Sequence, residues 1–225
     1  MGCMSDLGMI KKNAERLLKE IPEHVILLAA AKTRTVAEVK AAYEGGIRFF
    51  GHNYVREAQA MLEEVDFKAE WHMIGHLQRN KAKDAINIFD MIETLDSIKL
   101  AEELEKRCAS ADRIMDVLIE INSGAEDEKS GILPEELHPL AEATARMQHL
   151  HLCGLMTMGP LTDEPESARP YFVKTRKLFD ALKSSNLPGV DMQVLSMGMS
   201  GSYRVAIEEG STLVRLGTAI FGPRY

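Results

Sequence analysis

The sequence predicts an α/β fold: a single (β/α)8 TIM-type barrel with an additional N-terminal helix. Short apolar, β-branched runs alternate with longer amphipathic segments along the whole chain. Eight such runs are present, and each of the first seven is followed by a helical segment. The composition stays uniform along the 225 residues, without a Pro/Ser-rich linker, so we expect one domain over residues 1–225. Periodicity alone leaves an open doubly wound sheet as the structural alternative.

The predicted elements begin with a helix over residues 6–20, where apolar residues recur at helical spacing between Lys and Glu. The first strand, residues 24–31, is continuously apolar, which is typical of a parallel strand buried on both faces. Similar runs predict the later strands at residues 48–53, 70–75, 91–96, 116–122, 151–158, 192–196 and 213–220.

Capping residues predict where the helices begin and end. The helix over residues 35–44 ends at Gly45-Gly46, because glycine is the usual residue past a helix end. Ser97 is the candidate N-cap of the helix over residues 97–109, and Pro134 begins the helix over residues 134–147. The remaining helices are predicted at residues 54–64, 79–87, 168–183 and 203–209, with a polar loop over 126–131.

The charge balance and the cysteines exclude several classes of protein. The chain has 27 Lys and Arg against 34 Asp and Glu, a net charge of -7, which argues against non-specific nucleic-acid binding. Cys3, Cys108 and Cys153 lack CxxC spacing, which excludes a disulfide framework and fits a reducing compartment. The longest apolar run, residues 25–31, is too short to span a bilayer, and residues 1–10 lack a signal-peptide pattern. We therefore expect a cytoplasmic protein that does not bind membranes.

The functional site of such a barrel lies at the carboxyl ends of its strands. Lys32 directly follows the first apolar run, so we expect its aliphatic stem to be held at the rim of the core. A desolvated amine loses its charge more easily and becomes a nucleophile toward an aldehyde. The alternative is a lysine that simply extends into solvent.

Two loops rich in Ser, Gly and Thr follow the seventh and eighth predicted strands. The first includes Ser196 and Ser200, and the second includes Gly217 and Thr218. Exposed N–H groups in such loops bind phosphate, and small residues let the anion approach. Two tight turns that use glycine for its backbone freedom are the alternative interpretation.

The remaining charged residues at the strand ends allow fewer conclusions. Arg215 lies inside the last predicted strand, where either a salt bridge within the barrel or a cofactor ring nitrogen would be its partner. His72 and His76 lie four residues apart, but their side chains do not converge in a strand, and no Asp, Glu or Cys has ligand spacing. We therefore expect no metal site. Asp96 and Glu120 lie on different strands, and we expect structural or solvated roles for both.

A set of stretches makes the chain recognisable. Residues 71–81 read Trp-His-Met-Ile-Gly-His-Leu-Gln-Arg-Asn-Lys, and the others are residues 28–33, 50–54, 128–131, 154–156, 195–200 and 210–222. With these stretches the chain resembles the YggS/PROSC family of pyridoxal 5'-phosphate (PLP) homeostasis proteins, single-domain relatives of the alanine racemase N-terminal barrel. The resemblance covers nearly the whole chain; the stretches are specific together, and none is sufficient alone.

The resemblance implies that PLP is the cofactor and that it forms a Schiff base with the amine of Lys32. The other cofactor-binding residues that it implies are Asn53 beside the ring, Arg215 at the pyridine nitrogen, Ser196 near the phosphate, and Ser200, Gly217 and Thr218 on the phosphate. The chain departs from the family pattern at Ala31, where serine is usual, and at Gly201-Ser202, where acidic residues are common. It also has His52 where a glutamate is usual, and this leaves the role of that glutamate open.

An arginine at the pyridine nitrogen disfavours protonation of the ring and weakens it as an electron sink. We therefore expect a protein that holds PLP and releases or transfers it for intracellular homeostasis, with no robust catalytic activity. The alternative is an amino-acid racemase of the alanine racemase class. Such enzymes use a tyrosine from a further β-domain, which we do not expect because the chain ends at Tyr225. A barrel with a purely structural or protein-interaction role would have no cofactor at all.

The expected partners follow from the same resemblance. PLP-dependent apoenzymes are candidate acceptors of the cofactor. Lys129 is a candidate transfer lysine, with a solvated loop charge as the alternative interpretation. Barrel closure removes the free edges of the sheet, so assembly by edge pairing is not required and we expect a monomer.

Overall fold

The eight strands form a closed parallel barrel in the order of the chain, in a computed structural model that describes residues 3–126, 130–160 and 164–223. The barrel closes where Ile26 pairs with Leu213, which confirms the predicted barrel and excludes the open doubly wound sheet. The strands are β1 Ile26–Ala30, β2 Phe49–His52, β3 Glu70–Met73, β4 Met91–Leu95, β5 Met115–Ile121, β6 Leu150–Thr157, β7 Val190–Ser196 and β8 Leu213–Leu216.

Helices alternate with these strands and cover the outside of the barrel. They are α1 Cys3–Glu20, α2 Val36–Glu44, α3 Val55–Glu64, α4 Ala82–Ile88, α5 Ile98–Ser110, α6 Leu137–Ala145, α7 Arg169–Ser184, α8 Tyr203–Glu208 and α9 Thr218–Phe221. Short 3-10 turns, Arg79–Lys81, Pro134–Glu136 and Pro165–Ala168, precede α4, α6 and α7. Among the helices of the described ranges, none combines the length and the apolar composition that crossing a bilayer requires.

Local capping explains two of the helix starts. The Thr35 hydroxyl accepts a hydrogen bond from the Glu38 N–H at 3.3 Å, and the Glu38 carboxylate accepts one from the Thr35 N–H at 2.8 Å. Each side chain satisfies an N–H group that has no partner inside α2. The prediction that Ser97 caps α5 is confirmed, because its hydroxyl accepts from the Leu100 N–H at 3.3 Å.

The predicted last strand, residues 213–220, is wrong beyond Leu216. Strand β8 stops there, and the helical turn α9 follows Gly217, so the eighth strand is also followed by a helix. A short apolar run is compatible with a strand or with a buried helix, and periodicity does not distinguish them. Here tertiary contacts decide: the Asn13 side chain of α1 donates a hydrogen bond to the Ile220 carbonyl at 3.1 Å, which ties α9 to the N-terminal helix.

Apolar side chains fill part of the barrel interior. Leu28, Ile74 and Leu213 form one buried cluster inside the barrel. Gly51 makes room for it, since a Cβ atom there would lie 2.7 Å from the Leu28 side chain and 2.8 Å from that of Ile74. The interior of the barrel is therefore a packed core and not an open channel at this point.

Candidate cofactor site

Within the described ranges, two cavities at the carboxyl ends of the strands together contain Asn53, Ser200, Arg215, Gly217 and Thr218. The first, which we call the β8 cavity, has a volume of about 470 Å³ and is lined by Ala30, Ser200, Arg215, Gly217, Thr218 and neighbouring residues. The second, the β2–β3 cavity, has a volume of about 580 Å³ and is lined by Asn53, Tyr54, Arg56, His76, Gln78, Lys81 and apolar neighbours. Both volumes are in the range of small-molecule sites.

Lys32 lies two residues beyond the end of β1 and is half-buried. Its ammonium nitrogen lies over the ring of Tyr54, 5.1 Å from the ring centroid, and it forms no ion pair with any described carboxylate. The next residue, Thr33, has a φ of +62°, a conformation that is strained for a β-branched side chain. The Thr33 N–H donates to the Glu57 carboxylate, and its hydroxyl donates to the Lys32 carbonyl at 2.6 Å. Tertiary contacts thus hold the chain around Lys32 in an unfavourable local geometry.

The Ser/Gly loops meet at the β8 cavity. The Ser200 hydroxyl accepts hydrogen bonds from the N–H groups of Gly217 and Ala219, both at 3.1 Å. Thr218 is exposed and lines the same cavity. The structure therefore brings Ser200, Gly217 and Thr218 together, with backbone donors at the cavity wall that suit an oxyanion.

Ser196 lies elsewhere, in the interior of the barrel. Its hydroxyl is fully buried, donates to Glu93 at 2.5 Å and accepts a hydrogen bond from the Arg215 guanidinium. Ser196 therefore contacts Arg215 rather than the backbone donors around Ser200. Its position beside the phosphate stays a prediction that the structure does not favour.

Arg215 is buried and its partners lie inside the barrel. Its Nη2 donates to the Thr157 carbonyl at 2.8 Å, and its Nη1 lies 3.7 Å from the Glu93 carboxylate. Burial lowers the pKa of Arg215, while the charges of Glu93 and Glu120 act in the opposite direction. An arginine stays protonated in such a setting, so the β8 cavity has a fixed positive charge in its wall. Of the two partners that the sequence left open, the salt bridge is present.

Glu93, which the sequence did not indicate as a site residue, pairs with His72 inside the barrel. The Glu93 carboxylate is fully buried and lies 2.7 Å from the His72 ring nitrogen. Burial opposes its ionisation, but the His72 hydrogen bond and the charges of His72 and Arg215 outweigh burial and hold the pKa of Glu93 below its ordinary value. The signal was a glutamate at the centre of the short strand β4, in which Ile92 and Leu95 are apolar.

Glu120 is a second buried carboxyl group near the mouth of the barrel. Its side chain is 4% exposed, and its Oε2 atom has no hydrogen-bond partner among the described residues. Burial raises the pKa of Glu120 to about 7, Arg215 opposes this, and the charges of Asp96 and Glu93 add to it. The sequence showed no relation between Asp96 and Glu120, whereas the fold brings their charges close enough to interact.

Asn53 and His52 are neighbours at the end of β2 but face different surroundings. Asn53 is half-buried and lines the β2–β3 cavity. His52 is fully buried and stacks on Trp71, with ring centroids 5.7 Å apart. Neither nitrogen of His52 has a partner in the described parts of the chain, and burial lowers its pKa to about 4. His52 is therefore a neutral core residue and does not line either cavity.

The two histidines that lie four residues apart in the sequence, His72 and His76, have different partners in the structure. His76 is exposed and its ring nitrogen lies 2.9 Å from Asp96, whereas His72 pairs with Glu93, so the two rings have separate partners. Lys129 lies outside the described residues.

The fold and the site define a class of parallel (β/α)8 barrels. In such a barrel a lysine follows the first strand, backbone N–H donors follow the last strand, and a buried arginine lies within that last strand. The family described as alanine racemase, N-terminal domain, matches residues 5–225. The pyridoxal phosphate homeostasis protein of Aquifex aeolicus is 42% identical over 199 residues, which cover 88% of this chain and 86% of that protein. The protein of the same name from Pasteurella multocida is 39% identical over 225 residues, covering 97% and 96%.

A solved structure is similar over almost the same length. PipY of Synechococcus elongatus, with PLP bound, is 31% identical with a TM-score of 0.87, covering 95% of this chain and 100% of that one. The chain therefore belongs to the family of pyridoxal phosphate homeostasis proteins, within the wider group of alanine racemase N-terminal barrels. The resemblance drawn from the sequence is confirmed.

Proposed function

We propose that this protein binds PLP, holds it as a Schiff base on Lys32 and releases or transfers it as part of intracellular PLP homeostasis. The observation that carries the proposal is the position of Lys32, a rim lysine without a carboxylate partner among the described residues. The PLP-bound structure of the similar protein PipY supports the choice of cofactor. Residues 1–225 would act as one cofactor-binding barrel in the cytoplasm.

The residues around the β8 cavity fit this cofactor. Ser200, Gly217 and Thr218 would hold the phosphate, because two backbone N–H groups there have, among the described residues, only the Ser200 hydroxyl as acceptor, and that hydroxyl can rotate away. Arg215 would face the pyridine nitrogen and Asn53 would lie beside the ring. When bound, the cofactor supplies an aldehyde that condenses with a neutral amine and releases one water. Ser196 would act indirectly, by holding the Arg215 guanidinium in place.

The same geometry favours a carrier over an enzyme. The Arg215 guanidinium is fixed by Ser196, Thr157 and Glu93, so it keeps its charge and its place. A cation at the ring nitrogen disfavours protonation of the ring, and this weakens the stabilisation of carbanions that racemisation needs. We therefore propose no robust turnover of amino acids, with PLP-dependent apoenzymes as the acceptors of the released cofactor.

The test of the proposed function is the absorbance spectrum of the purified protein with PLP. The wild-type chain should show an imine chromophore that borohydride reduction removes, and peptide mass mapping should place the reduced group on Lys32. Lys32→Ala should lose the chromophore completely. Lys40→Ala is the matched control, because Lys40 is exposed and pairs with Asp66 on the surface. A wild-type protein that stays colourless with added PLP would overturn the proposal, as would a label on another lysine.

Incubation with L-alanine, followed by a chiral assay of the product, distinguishes the carrier from a racemase. The carrier proposal expects no D-alanine above the level that free PLP produces. Robust turnover that depends on Lys32 would instead establish the racemase alternative.

A further inference from the structure

The β2–β3 cavity is built from residues that the proposed cofactor site leaves almost unused. It is lined by the end of the stretch 50–54 and by much of the stretch 71–81, two of the segments that make the chain recognisable. Of its lining residues, only Asn53 belongs to the proposed PLP contacts. The cavity has a volume of about 580 Å³, which is that of a small-molecule site, and its lining residue Tyr54 lies beside Lys32.

The charged side chains that line this cavity among the described residues, Arg56 and Lys81, are both positive. Arg56 and Lys81 line it, and within the described ranges neither forms an ion pair. No carboxylate is among the lining residues that the structure describes. The whole chain has 34 acidic against 27 basic side chains. The positive charge at this cavity is therefore opposite in sign to the net charge of the chain. The cavity therefore attracts anions.

Its neutral residues supply the rest of a binding site. The side-chain amide of Gln78 has no hydrogen-bond partner among the described residues, so it is free to bind a ligand, whereas Asn53 is assigned to the cofactor ring. Val55, Met73 and Leu77 are buried and form an apolar wall. Small-molecule sites commonly combine an apolar wall with a few polar groups that fix the orientation of the ligand.

We propose that the β2–β3 cavity binds a small anionic molecule through a phosphate or carboxylate group held by Arg56 and Lys81. A guanidinium binds either oxyanion through two parallel N–H groups, and an ammonium adds a point charge. The apolar wall would contact the remainder of the ligand. The binding itself does not depend on the proposed PLP function.

A link between this ligand and Lys32 does rest on the proposed function. Tyr54 lines the β2–β3 cavity, and the Lys32 ammonium lies over its ring at 5.1 Å. A ligand that displaces Tyr54 would remove this contact and change how the cofactor is held. Because coupling between two sites is reciprocal, bound PLP would change the affinity for the anion by the same factor.

Calorimetry on the full-length, PLP-loaded protein tests the binding, with inorganic phosphate and succinate as separate probes at constant ionic strength. Arg56→Ala and Lys81→Ala should each weaken binding of the effective probe at least tenfold, since each removes a charge-assisted hydrogen bond. Lys83→Ala is the matched control, because Lys83 is an exposed lysine of α4 that does not line the cavity. Binding of phosphate alone would indicate a phosphorylated ligand, and binding of succinate alone a carboxylated one.

Backbone NMR shifts locate the bound probe and separate this proposal from the PLP proposal. Shifts at residues 54–57 and 76–81 that persist in Lys32→Ala support the cavity even if PLP does not bind. Shifts confined to residues 200 and 217–219 would place the anion at the β8 cavity instead and overturn the inference. Failure of both probes to bind would also overturn it, as would equal binding by wild type, Arg56→Ala and Lys81→Ala.

Discussion

Among the single residues, Glu93 connects the other buried polar side chains inside the barrel. One of its carboxylate oxygens contacts His72, and the other contacts Ser196 and lies near Arg215. A buried arginine is tolerated when its charge is paired and its N–H groups have acceptors. The pairing also prevents Arg215 from moving, because its guanidinium is held by three different strands. The charge that faces the β8 cavity is therefore a rigid feature of the barrel.

His52 is a buried polar side chain that has no hydrogen-bond partner among the described residues. Its burial predicts that the stability of the protein depends on pH. Burial lowers the pKa of His52 from the ordinary value of 6.5 to about 4. Between these values the unfolded chain binds a proton that the folded chain excludes, so the folded state loses stability as the pH falls from 6.5 to 4. The full loss is on the order of 3 kcal/mol.

We expect His52→Phe to remove this loss while keeping the stacking on Trp71. The free energy of unfolding, measured in urea at pH 7 and at pH 4.5, should fall less with acid in His52→Phe than in wild type. His138→Gln is the control, since His138 is exposed beside Glu142 and should follow the wild type. Equal acid sensitivity in wild type and His52→Phe would show that His52 does not titrate in this way.

At the scale of elements, the pairing of β6 with β7 is irregular at Gly154. The pairing shifts between Leu152 and Gly154, and a Cβ atom on Gly154 would lie 1.8 Å from the Val194 carbonyl oxygen. Only glycine fits this contact without moving the backbone. This contact matters for the site because β7 ends at Ser196, which holds Arg215.

Gly154→Ala should therefore destabilise the protein by at least about 1–3 kcal/mol, the usual cost of overpacking a core. Gly8→Ala is the matched control: Gly8 lies in α1, nothing lies within 4 Å of the added Cβ, and alanine is the better helix former. The midpoint of urea unfolding should fall in Gly154→Ala and rise slightly in Gly8→Ala. Similar midpoints for Gly154→Ala and wild type would show that β6 and β7 can separate without cost.

The turn from β8 into α9 depends on a residue outside the local sequence. The residues after Leu216 are small or apolar, and periodicity predicted that the strand continues. In the structure Gly217 leaves the strand, and the N–H groups of Gly217 and Ala219 bond to the hydroxyl of Ser200. Ser200 follows a different strand, so the information that ends β8 lies outside β8.

For the whole molecule, closure of the sheet is the main constraint on assembly. Each strand of the barrel pairs with two neighbours, including β1 with β8, so no edge is left for pairing with another chain. We therefore expect a monomer. Sedimentation equilibrium should give a mass close to 25.1 kDa over a wide concentration range, with and without PLP. A mass of twice that value at low concentration would contradict the expectation.

The sequence alone predicted eight strands alternating with helices and the place of Lys32 after β1, because burial of strand and helix faces leaves a periodic pattern along the chain. The pairing of β1 with β8 decided between the predicted closed barrel and an open doubly wound sheet. The sequence also predicted that Arg215 needs a partner. Only the tertiary structure decided which partner: Ser196 and Glu93, which lie 103 residues apart, meet at Arg215. It also decided that His52 lies in the core and that Ser200 ends β8. Periodicity reports whether a side chain is buried, whereas the identity of its neighbours depends on how distant strands come together.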